Sequence, residues 1–329
     1  MPASGRPICA VLLGATVALA VTAAASAQEK VWRHGILNPK SDAGILAMVG
    51  TGDFGKRQGL KIELVNFKDD QIGLKALIAG EVDSFEGGPQ GVFSAASKGG
   101  DARILGCHWT VVPHGIYAKD TLKSVAELKG KQIAISAPNS MPDMLAREAL
   151  EKSGVNPSDV KLAAVGGDRE RYQALIAGVV DAAVVSNEYE PVAPKNVHLL
   201  LAGRDALPNF IRICIFSSES KLKARGDDAV KFLAAEMDAL KYALSHKQAT
   251  IDLAHKLTHE KADDPRAAFI FDDAVEHHAV DPSLPLPKDK LQWVEEQLVK
   301  AGKIAKSIPV DEVIAPEYRE KALELSGHS

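Results

Sequence analysis

Apolar residues in this chain come in short runs of period two, separated by stretches in which they recur every three to four positions. The first pattern predicts strands and the second amphipathic helices. Val31 to Leu37 reads as a strand, Asp42 to Gly55 as a helix, Lys61 to Phe67 as a strand and Ile72 to Gly80 as a helix. A strand at Val82–Phe85, a helix at Gln90–Lys98 and a strand at Arg103–Gly106 follow. The alternation predicts an α/β fold with a mainly parallel sheet flanked by helices. A second series repeats the plan, with strands at Lys131–Ser136, Val160–Val165, Asp181–Val185 and Val197–Leu201 and helices at Pro142–Ser153 and Arg169–Gly178. A last apolar strand, Phe210 to Phe216, leads into helices at Ala229–Ser245 and Lys288–Ala301, a tail expected to cover the first series.

The two series are marked as duplicates by a self-match. Ala76-Leu77-Ile78-Ala79-Gly80-Glu81-Val82-Asp83 recurs as Ala174-Leu175-Ile176-Ala177-Gly178-Val179-Val180-Asp181. In both copies a helix ends on glycine, which takes the left-handed backbone of a C-cap, and a short apolar strand follows. A single period of about a hundred residues means duplicated lobes, since solenoid repeats run about 20–50 residues. The expected organisation is a two-lobe fold in which residues 28–117 with 213–329 form lobe 1 and residues 118–212 form lobe 2. Two hinge crossings, near Ile116–Lys119 and near Ile213–Phe216, would leave a cleft between the lobes.

Residues 1–27 stand outside this pattern. Arg6 precedes an uncharged apolar stretch that ends in Ala25-Ser26-Ala27, the small residues a signal peptidase requires, so a signal peptide cut after Ala27 and export to the periplasm are expected. The remaining cysteines, Cys107 and Cys214, would then sit in an oxidising compartment. Sequence gives no separation between them, so two buried thiols are the default expectation and a bridge the alternative.

Composition narrows the class of partner. With 39 Lys+Arg against 43 Asp+Glu, a net charge of -4 and 5% aromatic residues, the chain has neither the field nor the stacking surface for nucleic acid. A monomer that recognises its partners locally is expected.

If the carboxyl ends of the strands face the cleft, the ligand-binding candidates follow. Lobe 1 would contribute Asn38 and Ser41, the turn Glu86-Gly87-Gly88-Pro89, and His108, Trp109 and His114. Lobe 2 would contribute Ser136, Asn139, Ser140 and Met141, then Arg169, Asn187 and Glu188. Gly87-Gly88-Pro89 allows close backbone approach, and the 136–141 segment opens a helix whose unpaired N–H groups suit an anion; both are equally ordinary strand-to-helix turns. Arg169 and Arg212 have the planar fork that grips a carboxylate or sulfonate. Arg212 lies in an apolar run, where an unpaired charge is costly, so it must meet an anion, either Asp/Glu or ligand. Glu86 and Glu188 would instead suit an amine, a protonated pyrimidine or a zwitterion.

Several segments carry the look of a known family. Phe54-Gly55 with Gly59-Leu60, the Ala76–Gly80 block with Asp83, Leu128-Lys129-Gly130-Lys131-Gln132-Ile133-Ala134 and Gly178–Val184 together resemble the type II periplasmic solute-binding proteins of the nitrate/sulfonate/taurine and thiamine-pyrimidine-precursor group. The resemblance implies capture of a small solute for the membrane subunits of an ABC importer, without cofactor and without chemistry on the solute. Ser186-Asn187-Glu188-Tyr189-Glu190-Pro191 lacks the tryptophan often found there, which leaves the ligand class open.

Enzymatic motifs are weak. Gly50-Thr51-Gly52-Asp53-Phe54-Gly55 spells a dinucleotide fingerprint, but only five residues separate it from the next strand, too few for the helix it needs. His255 and His259 lack the adjacent glutamate of a zinc protease, and Glu276-His277-His278 reads as solvated surface, so no metal is expected. A cofactor-free enzyme in the same cleft, or a sensor subunit, remains the alternative on sequence grounds.

Overall fold

In a computed structural model, which describes Met1, residues 30–138 and residues 140–327, ten strands form two five-stranded sheets. The expected signal peptide and Asn139 lie outside the described residues, apart from Met1. The first sheet contains β1 (Lys30–Leu37), β2 (Leu60–Phe67), β3 (Ser84–Gly87), β4 (Ala102–Trp109) and β10 (Ile213–Ser218), in the order β2-β1-β3-β10-β4. The second contains β5 (His114–Lys119), β6 (Gln132–Ile135), β7 (Lys161–Ala164), β8 (Ala182–Ser186) and β9 (Val197–Ala202), in the order β7-β6-β8-β5-β9. Both sheets are α/β layers flanked by helices and are mainly parallel, as expected: in each, four strands run one way and a single strand, β10 or β5, runs against them. The reason is the crossings: β10 runs antiparallel to β3 and β4, and β5 antiparallel to β8 and β9, because each enters its sheet from the other half of the molecule.

The first crossing falls earlier than expected. Ile116–Lys119 are paired along β8 and β9, so the chain passes between the sheets at residues 110–113, and residues 114–117 belong with the second half. The return runs through a short helix, Gly203–Ala206, to β10, which starts at Ile213 rather than Phe210. The helix expected over Asp42–Gly55 is broken into Ala43–Leu46, a 3-10 turn at Met48–Gly50 and Phe54–Arg57. Thr51 is extended there and Gly52 has φ +57, a value that glycine adopts without strain. The helix Phe54–Arg57 is too short for a dinucleotide site.

Each sheet buries apolar side chains on both faces. Trp32, Leu105, Ile215 and Phe232 fill one side of the first sheet, and Phe85, Ile104, Phe216 and Leu291 the other. Along β8, Val184 joins one cluster and Ala183 and Val185 the opposite one, the alternation a strand imposes. The long helix Glu219–Ser245 and the helix Pro316–Leu325 cover the first sheet, as the tail was expected to do. Among the described residues no helix is long and apolar enough to cross a membrane.

The duplicated octapeptide has one structural job in both halves. Asp83 accepts a hydrogen bond from the Arg33 N–H at 2.8 Å, and Asp181 accepts one from the Gln132 N–H at 3.0 Å, so each aspartate pins its strand to the neighbouring parallel strand. Asp83 is also gripped by Lys221 at 2.9 Å and Arg225 at 2.8 Å, and its side chain is 3% exposed against 30% for Asp181. Removing a buried ion-pair partner strands its cations, so Asp83→Ala is expected to cost about 3 kcal/mol and Asp181→Ala under about 1 kcal/mol. Urea unfolding of the two variants measures the difference; equal losses would contradict it.

Candidate functional site: a cleft between two sheets

The carboxyl ends of β1, β3, β6 and β8 open toward the boundary between the halves, and polar contacts cross it. Lys40, three residues past β1, reaches Asp168 of the second half at 3.7 Å. Asn187, one residue past β8, donates to Asp273 at 3.4 Å, and Arg204 reaches the same carboxylate at 3.4 Å. Asp273 belongs to the helix Arg266–Glu276 of the C-terminal tail, which packs on the Asn187–Val192 turn. These contacts hold the halves together with little open space between them.

Asp168 is the hub. It starts the helix Asp168–Ile176, accepts from the Ser186 N–H at 3.2 Å, lies 3.4 Å from His114 and is bonded by Arg171. Burial alone would raise its pKa, but His114, Arg171 and Lys40 together outweigh burial and hold the carboxyl far below its usual range. A carboxylate so stabilised is a weak base. Its folded pKa lies below the unfolded 3.8, so the stability it contributes is complete above about pH 4 and is lost as pH falls toward the folded value. The gap between the melting temperatures of the unchanged chain and Asp168→Asn is therefore expected to narrow steadily as pH falls from about 4 to 2, without closing. Parallel melting curves over that range would contradict the assignment.

Arg212 sits on the second crossing. Its guanidinium lies 4.2 Å from the Trp109 ring and one terminal nitrogen is bonded to Asp42, so the anion expected of it is an aspartate. The other terminal nitrogen, Nη1, is buried with no partner among the described residues. Arg212 lines a small cavity at the end of β1 together with Asn38, Lys40 and Asp42. A wider surface hollow, lined by Lys30, Arg225 and Tyr318, lies at the opposite, amino end of β1 and is remote from the cleft.

Of the expected residues, Asn38, Ser41, His114, Asn187, Glu188 and Arg212 gather at this boundary. Ser41 Oγ is buried and faces the Glu188 carboxyl, whose pKa is raised by burial. Gly87, Gly88 and Pro89 form the turn after β3; the Gly88 N–H donates to Asp70 at 2.9 Å, and a Cβ on Gly87 would meet the same carboxylate at 2.3 Å. Ser140 caps the helix Met141–Lys152, accepting from the Asp143 N–H, Met141 packs on the second core, and Ser136 stays half-buried at the end of β6.

Three expectations are corrected. Glu86 and His108 turn into the body of the first half, because strand alternation puts Glu86 on the same face as Ser84, which contacts Trp32 and His34. Trp109 is buried in the first core and gives the cleft no open aromatic wall. Arg169 is exposed, and the cation that serves Asp168 is Arg171, whose Nε also donates to the Val184 carbonyl at 2.6 Å. The i,i+3 spacing of Asp168 and Arg171 was the available signal. Lys40 lies within the 38–42 segment expected at the cleft, but the distant Asp273 and Arg204 were missed, and nothing in the local sequence ties Asp273 to the cleft.

The geometry has close parallels. The aliphatic sulfonate-binding protein SsuA of Escherichia coli superposes with a TM-score of 0.71 at 21% identity, over 87% of this chain and 92% of its own. The desulfurization enzyme DszB superposes with a TM-score of 0.66 at 16% identity, over 90% and 99% of the two chains. The shared architecture is the type II periplasmic binding fold. In sequence, a Brucella abortus (strain 2308) protein named as a binding protein is 26% identical over 218 residues, 64% of this chain; the match spans 66% of that relative's length. The profile of the family described as NMT1/THI5 like matches residues 44–250, most of both halves, and the chain belongs to that family.

Proposed function

We propose that this chain is an exported receptor that captures a small polar organic solute with an anionic group, such as a sulfonate or carboxylate, and delivers it unchanged to the membrane subunits of an ABC importer. The observation that carries the reading is Arg212 Nη1, a buried cationic donor without a partner, on a chain crossing and beside a cavity. An anionic oxygen placed there completes the guanidinium's hydrogen bonding. The carboxylates named against an anion are weak objections: Glu86 faces away from the cleft, and burial raises Glu188 toward its neutral form. Catalysis is disfavoured because the His114–Asp168 pair is tied into an ion-pair hub rather than left as a poised acid and base. Export agrees with the disulfide between Cys107 and Cys214, a bond of oxidising compartments. Similarity to sulfonate-binding proteins and to a binding protein of Brucella supports the same reading.

A thermal-shift panel of sulfonates, carboxylates, amino acids and pyrimidines tests it. A solute at about 100 times its Kd is expected to stabilise the chain by about 2.7 kcal/mol. Chromatography of the mixture is expected to return that solute intact; turnover would make the chain an enzyme, and no anionic hit would overturn the ligand class.

A further inference from the structure

The helix Glu219–Ser245 turns an apolar stripe, including Phe232, Leu233 and Leu240, into the first sheet, yet it carries Glu236 in the middle of that stripe. Glu236 is 0% exposed, and neither carboxyl oxygen has a hydrogen-bond partner among the described residues. An unpartnered carboxyl in such a place is among the costliest groups a core can hold. Burial and the charge of Glu86 drive it toward protonation, but a protonated carboxyl would still lack an acceptor. Around it lie Glu86 at 1%, His108 at 0% and His34 at 0% exposure, none of them facing the cleft. His108 Nε2 is 3.0 Å and His34 Nε2 3.8 Å from the same Glu86 oxygen. His34 Nε2 and the second oxygen of Glu86 also have no hydrogen-bond partner. Three buried ionisable groups, Glu86, His108 and Glu236, thus converge on one point with His34 beside them, and each of the four keeps at least one polar atom without a partner among the described residues.

We propose that Glu86, His108 and Glu236, with His34 as a fourth ligand, bind a divalent first-row transition-metal ion of the Zn²⁺ type inside the first half of the molecule. One donor atom each from Glu86, His108 and Glu236 lies within 4.8 Å of the others. The 3.0 Å between His108 and Glu86 is within about 0.5 Å of the roughly 3.4 Å that separates tetrahedral ligands bound at about 2.1 Å. Two carboxylates and two neutral imidazoles leave zero net charge around a divalent ion, which suits a dry core. Mixed imidazole and carboxylate donors select zinc, iron or manganese over calcium, which prefers oxygen alone. The surrounding shell is built for it: Ser84 Oγ, 2.8 Å from Trp32 Nε1 and 2.7 Å from His34 Nδ1, can accept from both, and this leaves His34 Nε2 with a bare lone pair toward Glu86. The ion would tie β1, β3, β4 and the long helix together. It is structural and remote from any solute chemistry, so it stands or falls independently of the transport reading.

The test uses the mature chain after dialysis against a strong chelator, then ZnCl₂ and CoCl₂ as probes. Elemental analysis is expected to show one ion retained per chain after gel filtration, the melting temperature to rise with ZnCl₂, and Co²⁺ to give the visible absorption of a four-coordinate nitrogen–oxygen site. Glu236→Gln keeps the volume and removes a ligand, and it is expected to weaken retention at least tenfold. If that variant does not fold, the Co²⁺ spectrum and stoichiometry of the unchanged chain decide alone. No retained ion and no shift would overturn the proposal. So would Glu236→Gln binding as tightly as the unchanged chain, because the ion would then sit on exposed histidines such as His259 and His278.

Discussion

Replacing Cys107 and Cys214 with alanine is expected to lower the unfolding free energy by about 4 kcal/mol, a loss of about 10 °C in Tm. The two residues face each other across β4 and β10, and their sulfurs are joined at 2.05 Å. The bond closes a loop with a sequence separation of 107, long enough that its removal frees much of the unfolded chain's entropy. That loop has a particular meaning here. It starts just before the first crossing and ends just after the second, so it contains the whole second sheet. The disulfide fastens both crossings at their root in the first half. Thermal unfolding of the oxidised chain, the chain in reductant and the double alanine variant measures the effect. The last two are expected to agree with each other and to fall well below the first; three coincident curves would show that the bond contributes nothing.

For binding, Arg212→Gln is expected to weaken the preferred anionic solute by about 100-fold, which corresponds to about 2.7 kcal/mol. Glutamine retains a donor but not the charge or the second arm of the guanidinium. The same change leaves the partly buried Asp42 carboxylate without its cation, so stability is expected to fall as well. The pair Asp42→Asn with Arg212→Gln separates the two effects. It should recover most of the lost stability while binding stays as weak as in the single variant. Recovery of affinity along with stability would mean that Arg212 acts only by holding the cleft's shape.

Much of this architecture was readable from the chain because local signals and global fold agree. The duplicated Ala-Leu-Ile-Ala-Gly block marked two equivalent halves, and its aspartates turned out to lock equivalent strand pairs. Arg212, a charge in an apolar run, announced a buried anion and met Asp42. What stayed hidden depends on direction and on distant contact. The run at Ile116–Lys119 looked like a connection, but it is a strand whose partners, β8 and β9, lie some 65 to 85 residues onward. Two cysteines carry no separation until β10 is known to lie beside β4. Glu86 and His108 stand at strand ends, as sequence placed them, but one step of strand phase decides whether a side chain faces cleft or core. Asp273 reaches the cleft from a tail helix that no nearby motif connects to it.

On the proposed reading, the two halves close over a solute bound between them, held by contacts such as Lys40 with Asp168 and Asn187 with Asp273. Ligand contacts to both halves are what favour the closed form. Small-angle X-ray scattering of the mature chain, with and without a saturating anionic solute from the thermal-shift panel, tests this directly. A smaller radius of gyration in the bound state is predicted. A solute that binds tightly and leaves the radius unchanged would contradict it.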